Sequence, residues 1–538
     1  MKFGLRKTLC AVLLGSAACV AAAQESGSDR QELETLRQTT MKLIELMVQS
    51  GLITQEKAEA LLRESRRGAA QATAPAAPGA EGKEKEKVVR VPYVPQHVRD
   101  EMKEEIRQEV VAQAQKERWG EPGALPEWLD RFTFYGDVRL RYQGNQLSSG
   151  NGLYVNVQDT NAGNGVVLLN TTDSWDLWRF RARLGFTADV ADKVTAGLRL
   201  ATGSNANPGS ANQTLGNTFN RAAFTLDRAY IAVDPWPWLT LSGGRVENPW
   251  FYSDLVWAED DLNFEGVVAK FKPQSGALSG AFLTVGAFPL EKVDCTNAAQ
   301  IPNCGRDKWL YGVQAGAERM IGQSAKLKVG IALYDFRNVA GSLNDPVIDP
   351  LNRTGLLKYV QRGNSVFNIV TSGGPPLLGV AADFRELNLT GALTLLDYEP
   401  IQVTLLGDFV KNIGYDADRI RARTGGSPPI VQGQVGTEFD PRTIGYQARL
   451  TVGHADIAKA GHWQAYGGYK YVQRDAVLDA FNDQDFHLGG TDAKGWMLGA
   501  SYGIANNTWL RARWLSANEI DGPPLSIDVL QLDLNAKF

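Results

Sequence analysis

The segment WRFRARLGFTADV, Trp178 to Val190, sets Arg179, Arg181 and Arg183 at every second position, with Trp178, Phe180, Ala182, Leu184 and Phe186 between and after them. A period of two is that of a β-strand, whose successive side chains point to opposite faces. One face here is basic and the other apolar and aromatic. A water-soluble sheet buries its apolar face and wets the other. A barrel in a bilayer turns its apolar side chains outward to lipid and its polar ones toward a water-filled lumen. One strand does not decide between these, so the rest of the chain must.

The pattern recurs. DRFTFYGDVRLRYQ puts Phe132, Phe134, Val138, Leu140 and Tyr142 on one face and Asp137, Arg139 and Arg141 on the other. KVTAGLRLATG adds Arg199, and TWLRARWLS adds Arg511 and Arg513. From Arg131 to the end the chain reads as about sixteen such strands, ending in LQLDLNAKF with Phe538 last. The connections alternate. Short ones such as ADVADK, VDPWPW and RMIGQSA take turns with long polar ones at about 144–174, 204–221, 247–262, 291–308, 338–381, 413–441, 475–492 and 517–525. Short turns at one end and long loops at the other characterise a transmembrane barrel, and an even strand count puts both termini at the short-turn end. The fold class expected is therefore all-β, an antiparallel transmembrane barrel of about 16 strands. Trp236, Trp238, Trp309, Trp463 and Trp509 stand at strand ends, as interfacial girdles would.

Composition agrees. The chain has 538 residues, 43% hydrophobic and 22% charged, with mean hydropathy −0.24. No apolar run reaches the roughly 20 residues of a spanning helix, which excludes a helical membrane protein. The net charge of −4 lacks the basic excess of a nucleic-acid binder.

The first residues, MKFGLRKTLCAVLLGSAACVAAAQES, carry Lys2, Arg6 and Lys7, an apolar stretch from Leu9 to Val20, and an Ala21-Ala22-Ala23 cleavage site. Residues 1–23 read as a signal peptide. A competing reading makes Cys19 a lipidated first residue. Residues 24–69 form a helical, coiled-coil-like segment with Leu33, Leu36, Met41, Ile44, Met47 and Val48 at helical spacing. Residues 70–90 are an Ala/Pro/Gly and charge-rich linker. Residues 91–130 are a helix and a Pro-rich junction, and 131–538 are the barrel. Of four cysteines, Cys10 and Cys19 leave with the signal. Cys295 and Cys304 share a polar loop of an exported chain and read as a local disulfide, with a redox or metal pair as the alternative.

The chain resembles the putative porins of Gram-negative outer membranes. The resemblance rests on LIELMVQSGLITQEKAEALL, VRVPYVPQHVRDEM, GEPGALPEWLDRFTFYGDVRLRY, ENPWFYSDLVWAEDDLNFEG and the terminal Phe538. It implies a periplasmic helical segment before a roughly sixteen-stranded barrel in the cell outer membrane. It also implies a homotrimer and a third loop folded into the pore. The partners expected are outer-membrane lipid, ions and small hydrophilic solutes, with peptidoglycan as a further candidate. No cofactor, nucleic acid or metal is expected.

That third loop, RVENPWFYSDLVWAEDDLNFEG, holds Asp254, Glu259, Asp260 and Asp261. Folded inward, these acids would face a wall of Arg139, Arg141, Arg179, Arg181, Arg183, Arg199, Arg511 and Arg513. Opposed charges across a constriction set ion selectivity. The alternatives are a solvated loop face or a calcium site. Lys270, Lys272, Lys326 and Lys328 extend the basic wall, and Asp137, Asp189 and Glu318 are candidate bridging partners. Enzymatic signals are thin: Asp485 and His487 in FNDQDFHLGG are the one candidate pair. A passive porin is the leading expectation. The second is a structural protein bound to the cell wall through its N-terminal helices.

Overall fold

The computed structural model describes residues 129–538 except 164, 277, 294–305, 345–354, 372–373, 432–433 and 436–438. The signal peptide, N-terminal helices and linker lie outside the described residues, as do Cys295 and Cys304.

Sixteen long strands form one antiparallel sheet. In chain order they are β1 Phe132–Leu147, β2 Trp175–Ala191, β3 Val194–Ala201, β4 Thr225–Trp236, β5 Leu239–Glu247, β6 Asn263–Phe271, β7 Ala281–Glu291 and β8 Lys308–Ile321. The second half comprises β9 Ala325–Arg337, β10 Arg385–Leu395, β11 Ile401–Asn412, β12 Ile444–His454, β13 Trp463–Val472, β14 Ala493–Ala505, β15 Thr508–Glu519 and β16 Ser526–Lys537. Each pairs with the next, and β1 pairs with β16 from Asp137↔Lys537 to Leu147↔Ile527, so the sheet closes. β3 is short, and the two-residue strand Gln213–Thr214 continues its place beside β2 at Arg179 and Phe180. The eighth loop, 520–525, is shorter than the 455–462 turn, so loop length alone sorts seven of the eight loops cleanly.

The seam ends in a backbone exchange. Gly136 and Phe538 each donate their N–H to the other's carbonyl at 3.0 Å. A Cβ on Gly136 would meet the Phe538 ring at 2.5 Å and the Arg183 carbonyl at 2.8 Å, so the terminal ring needs a glycine beneath it.

The burial pattern is inverted relative to a soluble sheet. Outward Phe134 is 60% exposed and Leu184 50%, whereas inward Arg141 is 1% exposed and Lys470 2%. Hydrocarbon covers the first set, since an apolar outer band is what lipid contact demands. Trp236, Trp238 and Trp463 are exposed at strand ends, and Trp236 stacks on Trp238 with ring centroids 5.3 Å apart. Trp509 departs from the expected girdle. It shares the alternation of Arg511 and Arg513 and so faces inward.

The barrel is unevenly filled. Loops at residues 248–262 (loop 3), 338–384 (loop 5) and 473–492 (loop 7) contribute Trp257, Phe367 and Val477 to one apolar cluster. That cluster also takes in Phe264, Phe288, Tyr334 and Val410 from β6, β7, β9 and β11. This packing occupies one side, leaving the polar path along β1, β2, β15 and β16.

Leu184 lies at the centre of β2 on the outer face. Leu184→Arg is expected to destabilise the barrel by about 2–4 kcal/mol, the depth-dependent cost of an arginine at the bilayer midplane. Urea unfolding of the protein refolded into vesicles checks this, and an unchanged midpoint would contradict lipid contact at that face.

Candidate functional site

Loop 3 is pinned inside the barrel by two tryptophans. The Trp250 and Trp257 rings meet Tyr334 of β9 edge-on, with centroids 5.2 and 4.9 Å away, and Trp257 meets Phe264 of β6 at 5.1 Å. Edge-to-face packing of this kind adds to the large area each ring buries. Between the tryptophans, Ser253 donates to Asp408 of β11 on the far wall. Asp254 accepts from Gln447 of β12, and its backbone carbonyl accepts from Lys470 of β13 at 2.9 Å. Burial would raise the Asp254 carboxyl, but Lys470 and Arg449 outweigh it and hold it well below the usual carboxylate range.

The predicted acids therefore split. Asp261 reaches the expected wall, 3.0 Å from Arg181 and 3.2 Å from Arg183, and also accepts the Ala211 N–H at 3.1 Å. Burial opposes its charge, and Arg181, Arg139 and Arg183 together keep its carboxyl below the usual value. Asp260 meets the wall through its backbone, its carbonyl accepting from Arg183 at 3.1 Å. Glu259 and Asp254 instead face β12 and β13, where Arg449 lies 3.3 Å from Glu259 and Lys470 3.5 Å from Asp254. Arg449 and Lys470 were not singled out in the sequence, although KYV and QARLTVG carry the same alternation.

On the wall, Arg181 and Arg183 also grip Asp137 of β1, at 2.9 and 2.7 Å. Arg141 binds Asp533 of β16 through two parallel bonds of 2.7 and 3.0 Å, a bidentate geometry of high directionality. Arg511 of β15 takes the same carboxylate at 3.0 Å. Asp533 sits directly across from both arginines in strand register, so it clamps the seam from inside. Arg199 pairs with Asp227 at 2.5 Å, away from the loop 3 acids. Of the other bridging candidates, Glu318 takes Lys326 and Lys328, while Asp189 accepts from Thr195.

Loop 7 is the element that sequence reasoning missed. Ala258 of loop 3 donates its N–H to the Phe481 carbonyl of loop 7 at 2.7 Å. Phe481 stacks on Phe336, and Asp483 pairs with Lys470 at 2.8 Å. Asp485 binds Arg141 at 3.1 Å and also binds Arg513. Burial would raise Asp485, and these two arginines with Arg139 drive it well below the usual range. His487 turns elsewhere, toward the Leu525 carbonyl at 3.0 Å and toward Arg362. Burial, aided by Arg362, depresses its imidazole to about 3. Asp485 and His487 thus serve different partners rather than each other.

Two cavities mark the polar path. One of about 40 Å³ is lined by Arg139, Arg181, Arg511 and Arg513 on the wall and by Glu259, Asp260, Asp261, Asp483 and Asp485 of loops 3 and 7. A cavity needs about 10–15 Å³ of this measure per water, so this space holds only a few waters. The other, about 460 Å³, lies toward the long loops and shares Ser210, Asn212, Gln484 and Asp485 with the first.

Burial raises the carboxyls of three loop 7 acids, Asp475, Asp479 and Asp492. Burial raises Asp479 from 3.8 to about 7, and burial with nearby Asp521 raises Asp492 to about 7. A carboxyl whose folded value is raised stabilises only while protonated, so its contribution is full below about 3.8 and is lost as pH rises through 7. Hydrogen exchange at residues 475–492 is expected to quicken between these limits. Asp479→Asn should flatten the dependence in part, with the remainder coming from Asp475 and Asp492.

A model of the family described as "Putative porin" matches residues 37–538. The solved structure of OprB from Pseudomonas putida is similar at 14% identity, over 77% of this chain and 96% of that one, with a TM-score of 0.42. OpdL of Pseudomonas aeruginosa is similar at 13% identity, over 76% and 99%, with a TM-score of 0.37. The outer membrane channel DcaP of Acinetobacter baumannii is similar at 10% identity, over 76% and 97%, with a TM-score of 0.37. Comparison with curated proteins finds no match. With a family match spanning nearly its whole length, and with a closed barrel around a charged lumen, the chain belongs to the putative porin family of outer-membrane channels.

Proposed function

We propose that this porin passes ions and small hydrophilic solutes passively through an eyelet set between the acids of loops 3 and 7 and the arginine wall of β1, β2 and β15. The observation that carries the reading is the lining of the 40 Å³ space, which brings Glu259, Asp260 and Asp483 of the loops and Arg139 and Arg511 of the wall around one water-sized gap, while Asp261 ties loop 3 to Arg181 and Arg183. Charges of opposite sign on opposite sides of a narrow, water-filled gap produce a field across the path of a solute. That field orients dipolar solutes and sorts ions before they reach the narrowest point.

The N-terminal segment remains in the periplasm in this reading, after a signal peptide covering residues 1–23 is removed. Support comes from β1 and β16: the beginning of β1 and the last residues of β16 meet at the short-turn end, where Asp137 stands opposite Lys537 in strand register. The barrel assembles as a homotrimer. Removing residues 24–90 is expected to leave single-channel conductance unchanged; lost attachment to the cell wall alongside retained conductance would favour the anchoring reading.

Single-channel current in planar bilayers, with the reversal potential under a salt gradient, tests the channel and its field. A unit charge acts at about 0.5 kcal/mol across 8 Å of water, so one neutralisation changes an ion permeability ratio about twofold. Glu259→Gln with Asp260→Asn should shift selectivity toward anions, and Arg511→Gln toward cations. A folded barrel that carries no current, or two variants that shift the same way, would count against the reading.

A further inference from the structure

The arginine wall holds more cations than its carboxylates neutralise. Strand register sets Arg139 opposite Arg181 and Arg141 opposite Arg179, a block of four guanidinium groups. Like charges directly opposite destabilise a sheet, so such a block calls for carboxylates close by. Arg141 has Asp533 and Asp485, and Arg181 has Asp137 and Asp261. The other diagonal has none: among the described residues, neither Arg139 nor Arg179 is within ion-pair distance of a carboxylate. Arg139 is only 5% exposed and donates one bond, of 2.6 Å, to Asn212. The Nε atoms of Arg139 and Arg179 are both buried without a hydrogen-bond partner. A buried donor left without a partner is costly, and a charged one more so.

Both open onto the solute path. Arg139 lines the 40 Å³ constriction, and Arg179 lines the 460 Å³ cavity before it. Ser210 and Asn212 border both spaces, so one arginine follows the other along a continuous lining. The larger cavity also presents Leu169, Trp175, Tyr359 and Leu488, an apolar and aromatic patch beside a cation. Asp485 lines the same two spaces, and its repulsion scales with the charge of an anion, so a dianion is penalised about twice as much as a monoanion.

We propose that Arg179 and Arg139 form two successive stations for small organic monocarboxylates, which deepens and rests on the porin reading. The planar carboxylate meets a guanidinium fork that matches it in shape. At the first station the apolar body of the solute lies against Trp175 and Leu488. The carboxylate then transfers to Arg139 and Asn212 at the constriction. A single positive group at each station holds the anion weakly enough to release it onward, as conduction requires.

The probe is benzoate, added to one side of a planar bilayer carrying chloride current through the full-length mature protein. Benzoate is expected to reduce the wild-type current at lower concentration than inorganic phosphate does. Arg139→Gln with Arg179→Gln should raise the half-blocking benzoate concentration about tenfold while chloride still passes, in line with loss of charged hydrogen bonds. The paired lysine variants keep the charge without the fork and should be half-blocked at a benzoate concentration between those of wild type and the glutamine pair, which separates charge at these positions from barrel damage. Arg337→Gln, on the outer face, should change nothing. Absence of wild-type current would overturn the porin reading itself. A conducting double glutamine variant with unchanged benzoate block would overturn the stations alone, and stronger block by phosphate than by benzoate would overturn the carboxylate class.

Discussion

A backbone group in hydrocarbon has no water to bond, so a sheet in a bilayer must close on itself. In this protein that closure is the pairing of β1 with β16, ended by the Gly136–Phe538 exchange. Closure has two consequences. It leaves the apolar side of each strand to lipid, and it turns the polar side of all sixteen strands toward one shared interior. Arginines that would be harmless on a soluble surface are thereby crowded together on β1, β2 and β15, and need counter-charge.

Most of that counter-charge comes from within the wall and from two inserted loops. Asp137 and Asp533 are wall residues, while Asp261 and Asp485 arrive on loops 3 and 7. Packing and electrostatics divide the work of placing them. Trp250, Trp257 and Phe481 bury enough apolar area to hold the loops inside, each aromatic contributing of the order of 150–250 Å². The ion pairs then orient the loop tips. Replacing them with apolar groups would cost little stability, since a buried ion pair roughly breaks even against its own desolvation. In the proposed reading their value to the protein is the field they leave in the path.

Much of this is legible in the chain itself. The Trp178–Val190 alternation, the even strand count and the sorted loops lead to the barrel, and the third loop is recognisable as the acidic insertion. Asp261 lies within 3.2 Å of Arg181 and Arg183. Asp254 and Glu259 do not, because they depend on which wall lies across the lumen, and Arg449 and Lys470 are more than 180 residues away in sequence. Loop 7 is harder still. DQDFHLGG reads as an ordinary polar loop, and its insertion rests on Phe481 finding Trp257 and Phe336. Trp509 misled for a simpler reason: its place at a strand end suggests a girdle, but its parity with Arg511 turns it inward.

What the sequence determined alone is therefore local and periodic. A period of two assigns every strand residue to lipid or lumen, because the pleat allows no other arrangement. The tertiary structure decided which of the charges on the lumen side are neutralised. Arg139 and Arg141 are two residues apart on the same face and indistinguishable by pattern, yet Arg141 is clamped by Asp533 and Asp485 while Arg139, among the described residues, hydrogen-bonds only Asn212. Ion pairing falls off within a few ångströms, so it is set by three-dimensional proximity across the barrel and by where two loops come to rest.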